Sequence, residues 1–78
     1  MAVCYDKLWK LLIDKKMKKT ELKSAIGISS STLAKISKEE YIALPVLEKI
    51  CAVLDCNIED VMEFKDLDTV KEEINKQK

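Results

Sequence analysis

The stretch that most limits what this chain can become is Lys19 to Ile36, KTELKSAIGISSSTLAKI, where two short amphipathic runs flank the break Gly27-Ile28-Ser29. Its apolar positions are Leu22, Ile26, Ile28, Leu33 and Ile36. The steps Leu22/Ile26 and Leu33/Ile36 are the four- and three-residue intervals of a helix face, so both runs can turn an apolar side toward one small core. Gly27 directly follows the first run, where a helix often ends in a left-handed residue that glycine adopts without strain. Ser29 suits the N-cap of the second run, because its hydroxyl can accept from a free backbone N–H one turn in. The stretch predicts a helix, a tight turn and a second helix whose outer face is free to meet a partner.

The rest of the chain must supply the core for that pair. Its 78 residues support one domain, and a chain near this size removes only about 60 % of its surface from water on folding, so the core must be compact. One glycine, one proline and few β-branched alternations argue for helices. A hydrophobic fraction of 47 % is that of a globular protein, with disorder expected only at the ends. No apolar run approaches the length of a membrane span and no charged-then-apolar leader is visible, so a cytoplasmic protein without a membrane partner is expected.

The formal net charge is zero, which taken alone argues against a nucleic-acid partner. Its distribution argues the other way. Residues 1–38 hold nine lysines against three acids, a balance of +6, and residues 39–78 hold five lysines against eleven acids, a balance of −6. Such asymmetry suits a molecule with one face toward phosphates and the other away from them, although chance clustering on a solvated surface gives the same pattern.

Read in order, Met1 to Val3 are expected to fray. Tyr5, Leu8, Trp9, Leu12 and Ile13 recur at helical steps and predict a helix from about Cys4 to Lys16, with Trp9 as a core residue. The second helix is placed near Lys19, since a start at the better-capping Thr20 would leave it very short. The third ends near Ser37 or Lys38, followed by a loop over residues 39–43. Pro45 fits the first turn of a fourth helix, whose apolar face is Val46, Leu47, Ile50, Cys51 and Leu54, ending near Asp55. Asn57 and Asp60 resemble a capping box opening a fifth, short helix with Ile58, Val61, Met62 and Phe64 inside. Residues 4–64 then form the domain. Residues 65–78 read as a polar tail or weakly docked helix, with Asp68 as its cap and the stripe Leu67, Val70, Ile74 facing the domain or a second subunit.

Catalysis has little to work with. There is no histidine to complete a zinc set with Cys4, Cys51 and Cys56 or to activate a cysteine or serine nucleophile, so reduced thiols and no metal are expected. Paired carboxylates remain chemically open, but a domain this small leaves little room for a substrate pocket. The chain reads as a non-enzyme with no cofactor and no small-molecule ligand.

The order of elements, with L-x-x-x-I-G-I-S-x-x-T-L-x-x-I after one amphipathic helix and P-V-L-E-K-I-C-A-V-L-D-C-N-I-E-D-V after a loop, resembles the lambda-repressor-like helix-turn-helix family, also called Cro/C1 or XRE, in its small stand-alone form. The likeness runs from about Tyr5 to Phe64. It implies an all-α, compact five-helix DNA-binding domain with an extra C-terminal helix as an addition, acting in transcription regulation as a repressor or autoregulator. It also implies double-stranded DNA as partner and a homodimer on a palindromic operator.

Carried over position by position, the resemblance puts the recognition helix at about Ser30–Ser37. Lys19 falls at the phosphate-bonding first residue of helix two. Ser29, Ser30, Ser31 and Thr32 fall where the recognition helix approaches bases and backbone, and Lys35 lies one turn further on. Leu22, Ile26, Ile28, Leu33 and Ile36 match core positions. Three residues depart from the pattern: Lys23 stands where a small alanine is common, Ser37 where many relatives have Glu, and Ala43 where a polar cap precedes helix four. Lys19, Lys23 and Lys35 are therefore expected to neutralise phosphates, or for Lys35 to reach guanine. With no arginine in the chain and no Asn or Gln on that helix, base readout should be modest. A different use of the same fold, suggested by the acidic half and the C-terminal stripe, is a protein-binding adaptor, antirepressor or antitoxin.

Overall fold

The computed structural model describes residues 2–77. It is mostly helical: α1 (Asp6–Asp14), α2 (Lys19–Ile26), α3 (Ser30–Ser37), α4 (Leu44–Leu54) and α5 (Leu67–Lys76), with a two-stranded sheet of β1 (Val3–Cys4) and β2 (Glu63–Phe64). Among the described residues, no helix is long and apolar enough to cross a membrane.

The core gathers Tyr5, Leu8 and Leu12 from the first segment, Leu22, Ile26 and Ile36 from α2 and α3, Leu47, Ile50 and Leu54 from α4, and Val3 and Val61 from the chain's two closing ends. Each such aliphatic side chain contributes about 1.5–3 kcal/mol on leaving water. α2 packs chiefly on α4 and α3, while α1 and α4 both pack on a single 3₁₀ turn, Ile58–Asp60. The expected fourth helix is present, with Pro45 in its first turn and Asp55 ending it in a left-handed conformation (φ 52°).

The two ends of the domain depart from the sequence reading. Ala2 and Val3 are buried instead of frayed, because β1 pairs antiparallel with β2 in the register Val3↔Phe64 and Cys4↔Glu63; Met1 lies outside the described residues. The first helix accordingly runs Asp6–Asp14 and not Cys4–Lys16. Its buried stripe is narrower than the periodicity suggested: Leu8 and Leu12 are inside, Trp9 is half-buried and Ile13 is 74 % exposed.

The expected fifth helix collapses to that one 3₁₀ turn. The Asn57 backbone N–H donates to Asp60 Oδ2 at 3.0 Å, so the capping interaction forms, but the chain then extends into β2. Val61 is fully buried, whereas Ile58 and Phe64 stay open to solvent. Pairing with β1 captures backbone groups that a further helical turn would otherwise have used.

The ends are clasped by side chains as well. The Tyr5 hydroxyl donates to the Glu40 carbonyl at 2.8 Å, tying the strand exit to the loop after α3. Lys65 Nζ lies 3.5 Å from Asp6 Oδ2, and the neighbouring Cys4 thiol together with the Asp6 charge holds its ammonium above the usual lysine range. Cys4 Sγ and the Asp6 and Glu39 carboxylates lie within 4.8 Å of one another, a spacing suited to a cation, and Lys65 supplies one.

α5 starts after Asp66, which is left-handed (φ 54°) and accepts from Thr69 Oγ1 at 2.8 Å; the expected cap, Asp68, lies inside the first turn. α5 is exposed apart from half-buried Val70, which with Thr69 and Glu73 lines a cleft against Ala2 and Tyr41. The molecule measures 45 × 23 × 18 Å with a radius of gyration of 13.9 Å, against about 11.5 Å for a compact chain of this length.

Candidate nucleic-acid interface

The edge formed by α2, the turn and α3 is fixed from beneath. Leu22 and Ile36 are fully buried and Ile26 nearly so, while Ile28 in the turn packs against the same core. Gly27 closes α2 at φ 71°, ψ 35°, and both its N–H and that of Ile28 donate to the Lys23 carbonyl, at 3.0 and 3.2 Å. Ser29 is extended (φ −78°, ψ 163°), and its hydroxyl accepts from the Thr32 N–H at 3.2 Å, the N-cap that the sequence predicted.

Buried anchors leave the outer face of α3 polar. Ser30, Ser31 and Lys35 are exposed and Thr32 is half-buried. The hydroxyls form a local network, with Ser29 Oγ 2.8 Å from Ser31 Oγ and 3.1 Å from Thr32 Oγ1. Lys23 Nζ donates to Ser30 Oγ at 2.7 Å, bridging α2 to the first residue of α3. An ammonium can only donate, so Ser30 accepts there and keeps its own O–H to donate outward. That bridge accounts for the long side chain at Lys23: its stem is half-buried between the helices and its charge emerges at the tip of α3. Lys35 forms no ion pair among the described residues.

Lys19 sits apart from these groups. Its Nζ lies 4.0 Å from the centroid of the Trp9 ring, a cation–π contact at the start of α2. Periodicity assigns Trp9 to the core and cannot show that a lysine from the next helix folds back over its open face. One core expectation fails: Leu33 is half-buried and stands outside the buried cluster, because α3 is anchored through Ile36 and turns Leu33 toward its flank.

A helix-turn-helix whose second helix is capped by a serine, locked from below and rimmed by lysines is the architecture of a DNA-binding module. The model of the Cro/C1-type HTH DNA-binding domain matches residues 7–66, and the chain belongs to that family. A relative from Bacillus subtilis (strain 168), described as an uncharacterized HTH-type transcriptional regulator, YozG, is 39 % identical over 57 residues, spanning 70 % of this chain and 68 % of that protein. The crystal structure of the transcriptional regulator VanUg, form II, superposes with a TM-score of 0.80 at 52 % identity, covering 81 % of this chain and 84 % of that one.

Proposed function

We propose that this protein is a repressor or autoregulator that reads its operator by setting α3 N-terminus first into the major groove. The observation that carries this reading is the two-sidedness of α3: Ser30, Ser31 and Lys35 lie open to solvent while Ile36 is fully buried. The free N–H groups and positive dipole end of α3 then meet DNA where the hydroxyls already stand. Ser30, held by Lys23, donates its remaining proton to a phosphate or a purine acceptor. Lys19 and Lys23 neutralise phosphates, Lys35 reaches a phosphate or guanine, and Ser29 and Thr32 hold the helix tip in register. Residues 4–64 act as the DNA-binding unit and residues 65–78 as an attached segment, in a homodimer on a palindromic site. The work is binding and not catalysis, with no metal or cofactor in it.

The test is salt-dependent binding of the full chain to duplex DNA from upstream of its own coding sequence. Lys35→Ala and Lys19→Ala should each weaken binding and flatten the plot of log K against log salt by about one unit. Wild-type affinity and slope in both variants would remove α3 as the docking face. The acidic second half and an apolar groove beside Tyr41 favour a second reading, an adaptor that binds protein. No affinity for the upstream duplex together with a co-purifying protein would select it.

A further inference from the structure

The last turn of α4 brings two cysteines together. Asp55 ends the helix in the left-handed conformation (φ 52°, ψ 56°), a reversal that aspartate tolerates better than most residues. Through it the Cys51 carbonyl accepts both the Asp55 N–H and, at 3.0 Å, the Cys56 N–H, the six-to-one closure of a Schellman motif. In that motif the residue after the left-handed one folds back toward the last turn of the helix, where an apolar pair commonly meets. Here both members of the pair are thiols. The 3.0 Å bond and the covalent lengths on either side of it hold the two Cα atoms under about 7 Å apart, within the span that a disulfide bridges.

Cys51 and Cys56 are free, half-buried thiols that line one cavity of ≈ 160 Å³ with Leu44, Leu47 and Ile58. Their closeness shows in their acidity, since after burial it is the neighbouring Cys51 thiol that most raises Cys56. Cys4 is buried in β1 beside Asp6 and Glu39 and belongs to a different set of neighbours. Among the described residues no carboxylate joins the Cys51–Cys56 pair at metal-ligand spacing, so it offers two donors and not the four that zinc takes.

We propose that Cys51 and Cys56 form a thiol–disulfide site, which a low-molecular-weight disulfide such as oxidised glutathione converts to an intramolecular bond at the end of α4. One protein thiol loses its proton and attacks a sulfur of the small disulfide, forming a mixed disulfide and releasing one small thiol. The second protein thiol then attacks the protein sulfur of that adduct and releases the other small thiol. Two protein thiols are oxidised by two electrons, one small disulfide is reduced to two thiols, and the protons pass to the sulfurs released. Because the fold already sets the second sulfur beside the first, closure outruns loss of the adduct. A bond at a half-buried site stays within reach of small thiols, so it opens and closes with the surrounding redox poise. α2, which carries Lys19 and Lys23, packs chiefly on α4, so the bond braces the element beneath the helix-turn-helix.

The test is oxidation of the full chain in glutathione redox buffers, quenched with a thiol-alkylating reagent and read by peptide mass spectrometry. In native buffer Cys51 and Cys56 should pair while Cys4 stays reduced. At a given poise the ratio of closed to open chain should exceed that in concentrated urea at least about tenfold, since a bond that the fold favours also favours the fold. Cys56→Ser should lose the bond, with circular dichroism checking that the fold survives and Cys56→Ala taking its place if it does not. A wild type that stays reduced in oxidised glutathione alone, that accumulates adducts without closing, or that closes as readily in urea would each overturn the proposal. So would a Cys56→Ser chain in which Cys51 pairs with Cys4 as readily as it pairs with Cys56 in wild type.

Discussion

The helix-turn-helix edge and the segment that closes the domain hold their backbones by opposite means. From Lys18 to Ser37 the supports are local: Lys18 N–H donates to Glu21, Gly27 bends back to Lys23, and Ser29 caps three residues ahead. From Asn57 to Phe64 the local bonds close only the single turn that ends at Met62, and the rest is supplied by Val3, Cys4, Tyr5 and Lys7 from the far end of the chain, with Lys7 Nζ lying 3.7 Å from Glu63. The first region can hold its shape while meeting a partner. The second borrows its shape from tertiary contacts, so damage at either terminus is felt at both.

The sharpest way to break this contrast lies within α3. Ile36→Asp puts an unpaired charge into a fully buried site and should unfold the domain, at a cost above about 4 kcal/mol. Leu33→Asp, in the same helix but half-exposed, should cost under about 1 kcal/mol by urea denaturation. Equal effects would mean that α3 is not anchored through one residue.

A smaller loss tests the closure. Tyr5→Phe deletes the bond to Glu40 and should cost about 1 kcal/mol. The same clasp sets an alkaline limit. Burial holds the Tyr5 phenol above its usual range, and burial first, then the neighbouring Cys51, does the same for the Cys56 thiol. At Cys4 the bond with the Asp6 backbone pulls downward, but burial and the Glu39 carboxylate outweigh it and raise the thiol. An acid whose folded value is raised keeps its proton longer folded than unfolded. Stability is therefore complete below the unfolded values, about 8.5 for thiols and 10 for tyrosine, and falls as pH rises through the folded ones. Denaturation midpoints should drop in that range, and Tyr5→Phe should remove the upper part of the drop.

The mildest pair compares two helix entrances. Ser29→Ala should cost about 1 kcal/mol, because α3 loses its N-cap acceptor. Ala43, extended before α4, offers no side-chain cap, so Ala43→Ser should gain up to about 1 kcal/mol. Thermal melts of both variants read these directly.

The same division explains what the residues disclosed unaided. Caps and periodicity act within one or two turns, so the turn at Gly27, the cap at Ser29, the anchors Leu22 and Ile36 and the proline entry to α4 were readable from spacing. The strand pair was not: two-residue strands carry no alternation to detect, and the apolar Ile58, Val61, Met62 and Phe64 satisfied a helix template until β1 captured the backbone. Leu33 and Ile13 show the same limit at the scale of a side chain, since spacing gives a helix's apolar side but not how far round it the core extends. At the helix-turn-helix edge, exposure and capping of the hydroxyls followed from sequence, whereas the Lys23–Ser30 bridge and the Lys19–Trp9 stack depend on the angle between helices.

That stack gives the molecule a built-in optical reporter. Trp9 is the chain's single tryptophan, and the cation above its ring perturbs the excited state of the indole. A lysine drawn from the ring toward a phosphate takes that perturbation with it, so the intrinsic emission of the unlabelled protein should shift as duplex is added.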